Sequence, residues 1–195
     1  MSELKKQIKK INKGYFSFAD LRKIIKMDDS SLRVAISRMI KIGEIKKLFK
    51  GYYCLDLIDI NWEKLAIEIY RPSYLSFEWA LGYYNILSQK PYNLILATTK
   101  RSRKINVLEK MIIFRHIQPK LYWGYVMKDK YLIAEPEKAF LDLAYLSLNG
   151  YAKFDREEMN LNLLNRKKIK VYLRKIKNKK LNSLLKDFLL SNKSI

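Results

Sequence analysis

The sequence lacks most of the residues from which disulfides, metal sites and glycine-rich phosphate loops are built. Its 195 residues include one cysteine, Cys54, and one histidine, His116. A single cysteine excludes an intramolecular disulfide and a cysteine-built zinc site, and a single histidine excludes a site with two histidine ligands. The six glycines do not follow the spacing of a phosphate-binding loop. We therefore expect no metal and no other cofactor.

Long apolar segments are also missing. No apolar run approaches the roughly 18 residues that a membrane-spanning helix needs, and the longest candidate, residues 139–148, is interrupted by Asp142. The chain begins Met-Ser-Glu-Leu-Lys-Lys, which lacks the apolar segment of a secretory signal. Hydrophobic residue types nevertheless make up 49% of the chain, enough for a packed core. These features predict a folded, cytoplasmic protein without a membrane partner.

Acidic residues are scarce at both ends of the chain. The whole sequence holds 40 Lys and Arg against 19 Asp and Glu, a net charge of +21. The net charge is +9 over residues 1–54 and +10 over 160–195, but only +2 over 55–159. This asymmetry predicts two surfaces that face a polyanion, most commonly nucleic acid. The alternative is a general compositional bias in which lysine fills surface positions.

The first 56 residues predict three helices. Apolar residues recur at helical spacing over 4–11. The second helix follows Ser17, an N-cap residue, and Asp20 three positions later completes a capping pair. The third helix is capped by an aspartate at 28–29 and ends at Gly43, a residue that tolerates the left-handed conformation.

The third helix has two contrasting faces. Leu32, Ile36 and Met39, with positions 35 and 40, form one apolar stripe. The opposite face is rich in arginine and serine, which can bond base edges and phosphates, while a valine can contact a thymine methyl. The predicted DNA-binding residues of this face are Ser30, Ser31, Arg33, Val34, Ser37, Arg38 and Lys41.

A basic hairpin is predicted after the third helix. Two short β-rich runs flank Lys50 and Gly51, which suit a tight turn, and Cys54 at the end is expected to be a small core residue. Three helices followed by such a hairpin are the order of a winged helix-turn-helix, whose third helix enters the major groove while the wing contacts the backbone. The alternative is a three-helix subdomain with a solvated outer face. The predicted wing contacts are Lys46, Lys47, Lys50 and Tyr52.

Residues 57–195 predict a mixed α/β domain, so the fold class of the whole chain is α+β. Strands are predicted at 67–70, 93–99, 111–117, 121–126 and 131–134. Ser76 is expected to cap a helix that runs to about residue 87, and Pro136 suits the first turn of another. Two basic amphipathic helices, with apolar stripes over 169–176 and 181–189, are predicted in the tail, residues 160–195. The run comprising Lys100, Arg101, Arg103 and Lys104 is either a phosphate or partner contact or a solvated turn.

No pattern typical of a catalytic site is present, so we predict no enzyme and no catalytic residue. His116 lies in an apolar run and is interpreted as structural. One alternative is a metal-dependent nuclease that uses Glu78, Glu135, Glu137 and Asp142. Glu135 and Glu137, however, also suit the start of a helix. The other alternative is an RNA-binding protein that uses both basic ends.

Three segments in order resemble a known family. They are Pro-Ser-Tyr-Leu-Ser at 72–76, Thr-Thr-Lys-Arg-Ser-Arg at 98–103, and Ala-Glu-Pro-Glu-Lys-Ala-Phe-Leu-Asp at 134–142. Together with the winged-helix pattern they resemble the AbiEi family of antitoxin-type transcriptional regulators, from type IV toxin–antitoxin and phage abortive-infection systems. The resemblance covers roughly residues 15–160, and the third segment is its most specific part.

The resemblance implies two functions. The winged helix, carried here by residues 30–41 and 46–52, would bind inverted repeats in double-stranded DNA of the chain's own promoter and repress it, as a monomer or weak dimer. The second domain would counteract a nucleotidyltransferase-like toxin without a stable complex. The very basic tail after Asn160 departs from the family pattern.

Overall fold

The computed structural model describes residues 3–11 and 14–190, except for the side chain of Glu3. The chain divides into two compact units, Met1–Leu65 and Ala66–Ile195. The boundary that the sequence predicts after residue 56 falls inside the first unit. None of the helices in the described part of the chain has the length and apolar character needed to cross a bilayer.

The first unit combines three consecutive helices with a three-stranded antiparallel sheet. The strands lie in the order β1-β3-β2. The N–H of Phe18 also donates to the carbonyl oxygen of Gly51 at 3.0 Å, which joins the start of the second helix to the tip of the hairpin. The elements are α1 (Glu3–Lys9), β1 (Phe16–Ser17), α2 (Phe18–Ile24), α3 (Asp29–Lys41), β2 (Lys46–Phe49) and β3 (Tyr52–Cys54).

Local hydrogen bonds explain where α2 and α3 begin. The Ser17 hydroxyl accepts from the Asp20 N–H at 3.1 Å, while the Asp20 carboxylate accepts from the Ser17 N–H at 3.0 Å, a complete capping box. Asp28 caps α3, and Gly43 follows its end with φ +75°. The predicted helices and hairpin of this unit are therefore confirmed. Their apolar faces meet in one core that includes Ile8, Leu21, Leu32, Ile36, Met39 and Ile45.

The second unit is built on a six-stranded mixed sheet in the order β6-β7-β5-β4-β9-β8. Pairs β4–β9 and β5–β7 are parallel, and the other neighbours are antiparallel. Every residue of β5 is buried, so both faces of the sheet centre are covered. The strands are β4 (Ser73–Leu75), β5 (Leu94–Thr98), β6 (Arg103–Val107), β7 (Lys110–His116), β8 (Tyr125–Lys128) and β9 (Tyr131–Ala134).

The remaining helices are α4, which ends in this unit, and five that follow it. In addition, 3₁₀ turns occupy Pro119–Leu121 and Leu161–Leu163. The helices are α4 (Trp62–Ile69), α5 (Phe77–Tyr83), α6 (Pro136–Ser147), α7 (Arg166–Ile176), α8 (Lys179–Leu184) and α9 (Lys186–Leu190).

The prediction of a strand at 67–70 is wrong, because residues 67–69 form the end of helix α4 and residue 70 follows it. The Asn61 side chain accepts from the Lys64 N–H at 2.8 Å and so caps this helix. Leu65 and Ala66 are then fully buried on its inner side. The Ile-Glu-Ile-Tyr sequence at 67–70 that suggested a strand lies at the end of a helix, where tertiary packing overrides propensity.

Two other boundaries differ from prediction. Helix α5 stops at Tyr83 rather than near residue 87, since Asn85 adopts a left-handed conformation with φ +59°. The strand predicted at 121–126 begins only at Tyr125, because Pro119 initiates a 3₁₀ turn.

The tail is helical as predicted, with one difference. Asn165 and Asn178 cap α7 and α8 through their side-chain oxygens, at 3.1 and 3.0 Å from the N–H groups of Lys168 and Leu181. The second predicted helix is divided at Leu185 into α8 and α9. The last five residues of the predicted tail lie outside the described residues.

Candidate nucleic-acid interface

Helix α3 buries one face and exposes the face that the sequence singles out. Leu32, Ile36 and Met39 are at most 5% exposed. Val34, in contrast, is 60% exposed in the middle of the outer face. The other six predicted positions of this helix are exposed as well: Ser30, Ser31, Arg33, Ser37, Arg38 and Lys41.

The first two serines of this face belong to the helix cap. The Asp28 carboxylate accepts from the N–H groups of Ser30 and Ser31 at 3.0 and 2.9 Å, and also from the Ser30 hydroxyl. These bonds hold the pKa of Asp28 well below its usual value, and the bond from the Ser30 side chain contributes most to the lowering. The Ser30 hydroxyl is thus already engaged, so Ser37 is the better donor on this helix.

The two arginines of α3 have different surroundings. The guanidinium of Arg33 lies over the Phe18 ring, 4.5 Å from its centroid. The guanidinium of Arg38 has no hydrogen-bond or ion-pair partner among the described residues. Stacking restricts the geometry of Arg33, whereas all donors of Arg38 are available to an external acceptor.

Nearby acids are paired with groups other than this outer face. Asp29 binds Arg22 at 3.0 Å, and Glu44 binds Lys5 at 3.3 Å. Asp20 belongs to the capping box described above. Among the described residues, the cations of the outer face therefore have no acidic neighbour to neutralise them.

The hairpin presents lysines at its outer strand and its turn. Lys46, Lys47 and Lys50 are exposed, and none of their ammonium groups has a hydrogen-bond or ion-pair partner among the described residues. Tyr52 is half-buried, with its ring centroid 6.3 Å from that of Tyr15. The lysines are thus the hairpin groups most open to a phosphate. Cys54 is buried, as expected, and the burial raises the pKa of its thiol to about 11.

The basic run of the second unit surrounds a tyrosine. The Tyr70 hydroxyl donates to the carbonyl oxygen of Arg101 at 3.1 Å. The Lys100 ammonium and the Arg103 guanidinium lie 5.3 and 6.0 Å from the centroid of the same ring. Lys104 is exposed in β6. The predicted loop is therefore part loop and part strand, and two of its four cations lie beside one tyrosine ring.

The carboxylates considered for a nuclease are held by cations. The Arg115 guanidinium binds both oxygens of Glu78, at 2.9 and 2.7 Å. Asp142 pairs with Lys138. Within residues 3–11 and 14–190, no group of three His, Cys, Asp or Glu side chains is arranged to hold a metal ion.

The two glutamates at the start of α6 tie this helix to α7. Glu135 makes no side-chain bond to its own helix but accepts from Lys168 at 2.9 Å and from the Tyr172 hydroxyl. Partial burial opposes ionisation of Glu135, yet these bonds outweigh it and lower its pKa. Glu137 accepts from the Asn165 N–H at 3.1 Å and lies 3.3 Å from the Lys168 ammonium.

Sequence reasoning missed a buried ionic network between α6 and β4. The Lys138 ammonium binds Asp142 and the Tyr74 hydroxyl, the latter at 2.9 Å. Tyr74 and Ser76 both donate to the second Asp142 oxygen, at 2.9 and 2.8 Å. Ser76 therefore does not cap α5 as predicted. The sequence feature that could have revealed the ionic network was a lysine and an aspartate four residues apart in a mostly apolar helix.

Gly124 leaves room for this network. It has φ +73°, and a Cβ there would lie 2.9 Å from the Lys138 Cγ. Any larger residue would displace the lysine stem.

Comparison of the chain with protein-family models and with curated proteins gives no match.

Proposed function

We propose that the first unit is a winged helix-turn-helix domain and that the chain represses transcription of its own operon. The observation that carries this proposal is the outer face of α3, where Arg38, Ser37 and Lys41 are exposed beside the apolar Val34. Such a face offers hydrogen-bond donors for base edges and a contact for a thymine methyl. No acidic side chain in the described part of the chain pairs with its cations, which favours the approach of a phosphate backbone.

The hairpin supports the same function. Strands β2 and β3 follow α3 in the chain and are joined through Lys50 and Gly51, and β1, which precedes α2, pairs with β3 to complete the sheet. Lys46 and Lys47 extend the basic surface along one strand. In a winged helix-turn-helix this hairpin is the wing, which contacts the DNA backbone while the third helix reads the major groove.

The second function follows from the AbiEi resemblance. We propose that the chain also counteracts a nucleotidyltransferase-like toxin encoded in the same operon, without a stable complex. The most specific segment of the resemblance, Ala134–Asp142, spans the end of β9 and the first turns of α6. This segment supplies both ends of the ion pair between Lys138 and Asp142, so part of its sequence pattern has a structural cause.

The DNA-binding proposal is tested by a salt titration of affinity. Binding of the full chain to duplex DNA from its own upstream region is compared with binding to a scrambled duplex, by fluorescence anisotropy. Each neutralised phosphate contributes about −0.9 to the slope of log K against log salt. We expect similar slopes on both duplexes, but tighter binding to the upstream fragment at every salt concentration. Equal affinity throughout, or a preference for structured RNA, would contradict a sequence-reading regulator.

The antitoxin proposal has its own test. The toxin candidate is expressed alone and together with this chain, and growth is measured. We expect the chain to restore growth without co-purifying with the toxin. An operon without a nucleotidyltransferase-like gene, or growth arrest that the chain does not relieve, would contradict this part and leave the DNA-binding part standing.

A further inference from the structure

A cavity of about 920 Å³ opens in the second unit between the edge of the sheet and the end of α6. This volume falls within the range of small-molecule sites. Its lining includes Lys104, Ile113, Arg115, Tyr145, Leu146 and Tyr151.

One wall of the cavity carries two cations. Lys104 lies directly opposite Ile113 in the antiparallel pairing of β6 with β7, so their side chains share one face of the sheet. Arg115 is two residues beyond Ile113 in the same strand and therefore projects from that same face. This is also the face covered by α5, because Arg115 binds Glu78 of that helix. The lining of the cavity contains no acidic residue.

Arg115 is fixed in place but still has donors to offer. Only its Nη1 bonds to Glu78, at 2.7 and 2.9 Å. A guanidinium has five N–H groups, and no described residue accepts from Nε or Nη2 of Arg115. Its side chain is 21% exposed. The ammonium group of Lys104, an exposed residue, has no hydrogen-bond or ion-pair partner among the described residues either.

The part of the lining near the end of α6 is mainly aromatic and apolar. It comprises Tyr145, Leu146 and Tyr151, with the polar Asn149 between the last two. Tyr151 is 74% exposed, so a ligand that packs against its ring would bury apolar surface. The end of α6 carries the negative pole of the helix dipole and favours the uncharged part of a ligand. The anionic part belongs at the cationic wall.

We propose that this cavity binds a nucleoside phosphate, with the phosphate at Lys104 and Arg115 and the base against Tyr145 and Tyr151. The chemistry requires a planar ring and a phosphate in one ligand. Two sources supply it, a free nucleotide and the 5′-phosphorylated end of a nucleic-acid strand. The site goes beyond the proposed DNA-binding function, which concerns the first unit alone.

The test is isothermal titration of the full chain with AMP, ATP, adenosine and inorganic phosphate. We expect the nucleotides to bind and to exceed both adenosine and phosphate in affinity, because only they use both the cationic wall and the aromatic part of the lining. A short oligonucleotide with and without a 5′-phosphate separates the second source. Stronger binding of the phosphorylated strand, without binding of free nucleotides, would assign the site to strand ends. No binding of either phosphorylated ligand would overturn the proposal.

Variants locate the binding. Lys104→Gln should weaken nucleotide binding by about tenfold or more, because a charge-assisted hydrogen bond is lost. Tyr145→Leu should weaken the nucleotides but leave the affinity for phosphate unchanged. The matched control is Lys120→Gln, an exposed lysine that does not line the cavity. Nucleotide affinity that is unchanged in both cavity variants, or that falls equally in the control, would overturn the assignment.

The same variants keep this proposal separate from the DNA-binding one. Lys104→Gln should leave the preference for the upstream duplex over the scrambled duplex unchanged. Arg115→Gln also removes the partner of Glu78, so its thermal unfolding is measured first, and Lys104→Gln remains decisive if that variant is unstable. Failure of nucleotide binding with intact duplex recognition would end only the present proposal.

Discussion

The exposed cations of helix α3 and the buried lysine of helix α6 are stabilised in opposite ways. In the first unit, Arg38 and Lys41 are exposed, and no described acidic side chain pairs with them. In the second unit, Lys138 is 1% exposed and is held by Asp142 and Tyr74. An exposed cation needs only water and so remains available to a ligand. A buried cation needs partners inside the protein to offset the loss of its hydration, and those partners and the surrounding packing separate it from an external ligand.

The pKa directions fit this contrast. Burial lowers the pKa of Lys138, and the adjacent Asp142 opposes that effect. Burial also raises the pKa of Tyr74 well above its usual value, with Asp142 reinforcing it. Tyr74 therefore stays protonated, and its hydroxyl donates a hydrogen bond to the Asp142 carboxylate. The network acts as one unit that joins β4 to α6, and we assign it to stability rather than to binding.

Lys138→Met gives the largest expected effect, because it breaks the buried side of the comparison. The variant leaves the Asp142 carboxylate buried with only hydroxyl donors. Removal of one partner of a buried ion pair costs about 3–5 kcal/mol. We expect a loss of that size in the free energy of unfolding, measured by urea titration of the full chain.

The double variant with Lys138→Met and Asp142→Leu serves as the control. Since it removes both charges, it should regain much of the lost stability. A loss below about 1 kcal/mol in the single variant would mean that water reaches the network, and the contrast with the first unit would disappear.

Arg38→Ala tests the exposed side. A bidentate arginine contact to a base is worth about 1–3 kcal/mol of discrimination. We therefore expect a loss of that size in affinity for the upstream duplex, a smaller loss for the scrambled duplex, and unchanged unfolding by urea. Arg33→Ala is the matched comparison, since Arg33 stacks on Phe18. Unchanged affinity when both arginines are replaced would contradict the assignment of α3 as the recognition helix.

Much of the first unit could be predicted because its signals are local. Ser17, Asp28 and Gly43 define helix ends within a few residues of themselves, and the structure places each of them as expected. The exposed face of α3 follows directly from the helical period once those ends are known. What the sequence did not show is that Ser30 is already engaged by the cap.

The second unit depends on contacts between distant residues, which no local pattern reveals. Ser76 has the residue type of an N-cap, yet it bonds to Asp142, 66 positions further along the chain. Glu78 and Arg115 pair across 37 positions, and their separation in the sequence gave no indication of it. The pair of Lys138 and Asp142 is the exception, because the two residues lie four positions apart in one helix. A lysine and an aspartate at this spacing in a mostly apolar helix would have identified the pair.

Ser17→Ala sharpens the comparison within the first unit by separating stability from binding. The substitution removes the capping bond to the Asp20 N–H, and loss of an N-cap costs about 1 kcal/mol. We expect that loss in the free energy of unfolding and no change in the relative affinity for the two duplexes at a temperature where the variant is folded. Ser183→Ala, at an exposed position of α8, is the control. A change in duplex preference would show that the capping box also positions α3.

Glu135→Gln addresses the intermediate case, a pair that is neither fully exposed nor fully buried. Partial burial acts against the charged form of Glu135, but the bonds from Lys168 and Tyr172 lower its pKa below the reference value of 4.5. A carboxylate with a lowered folded-state pKa stabilises the fold above its unfolded-state pKa, and this contribution disappears as the pH falls through the folded-state value. The difference in unfolding free energy between the chain and the variant should therefore be constant from pH 7 to about 5.5 and shrink below about 4.5. Urea titrations across this range measure it. A difference that persists at low pH would mean that packing, rather than charge, makes Glu135 important for the contact between α6 and α7.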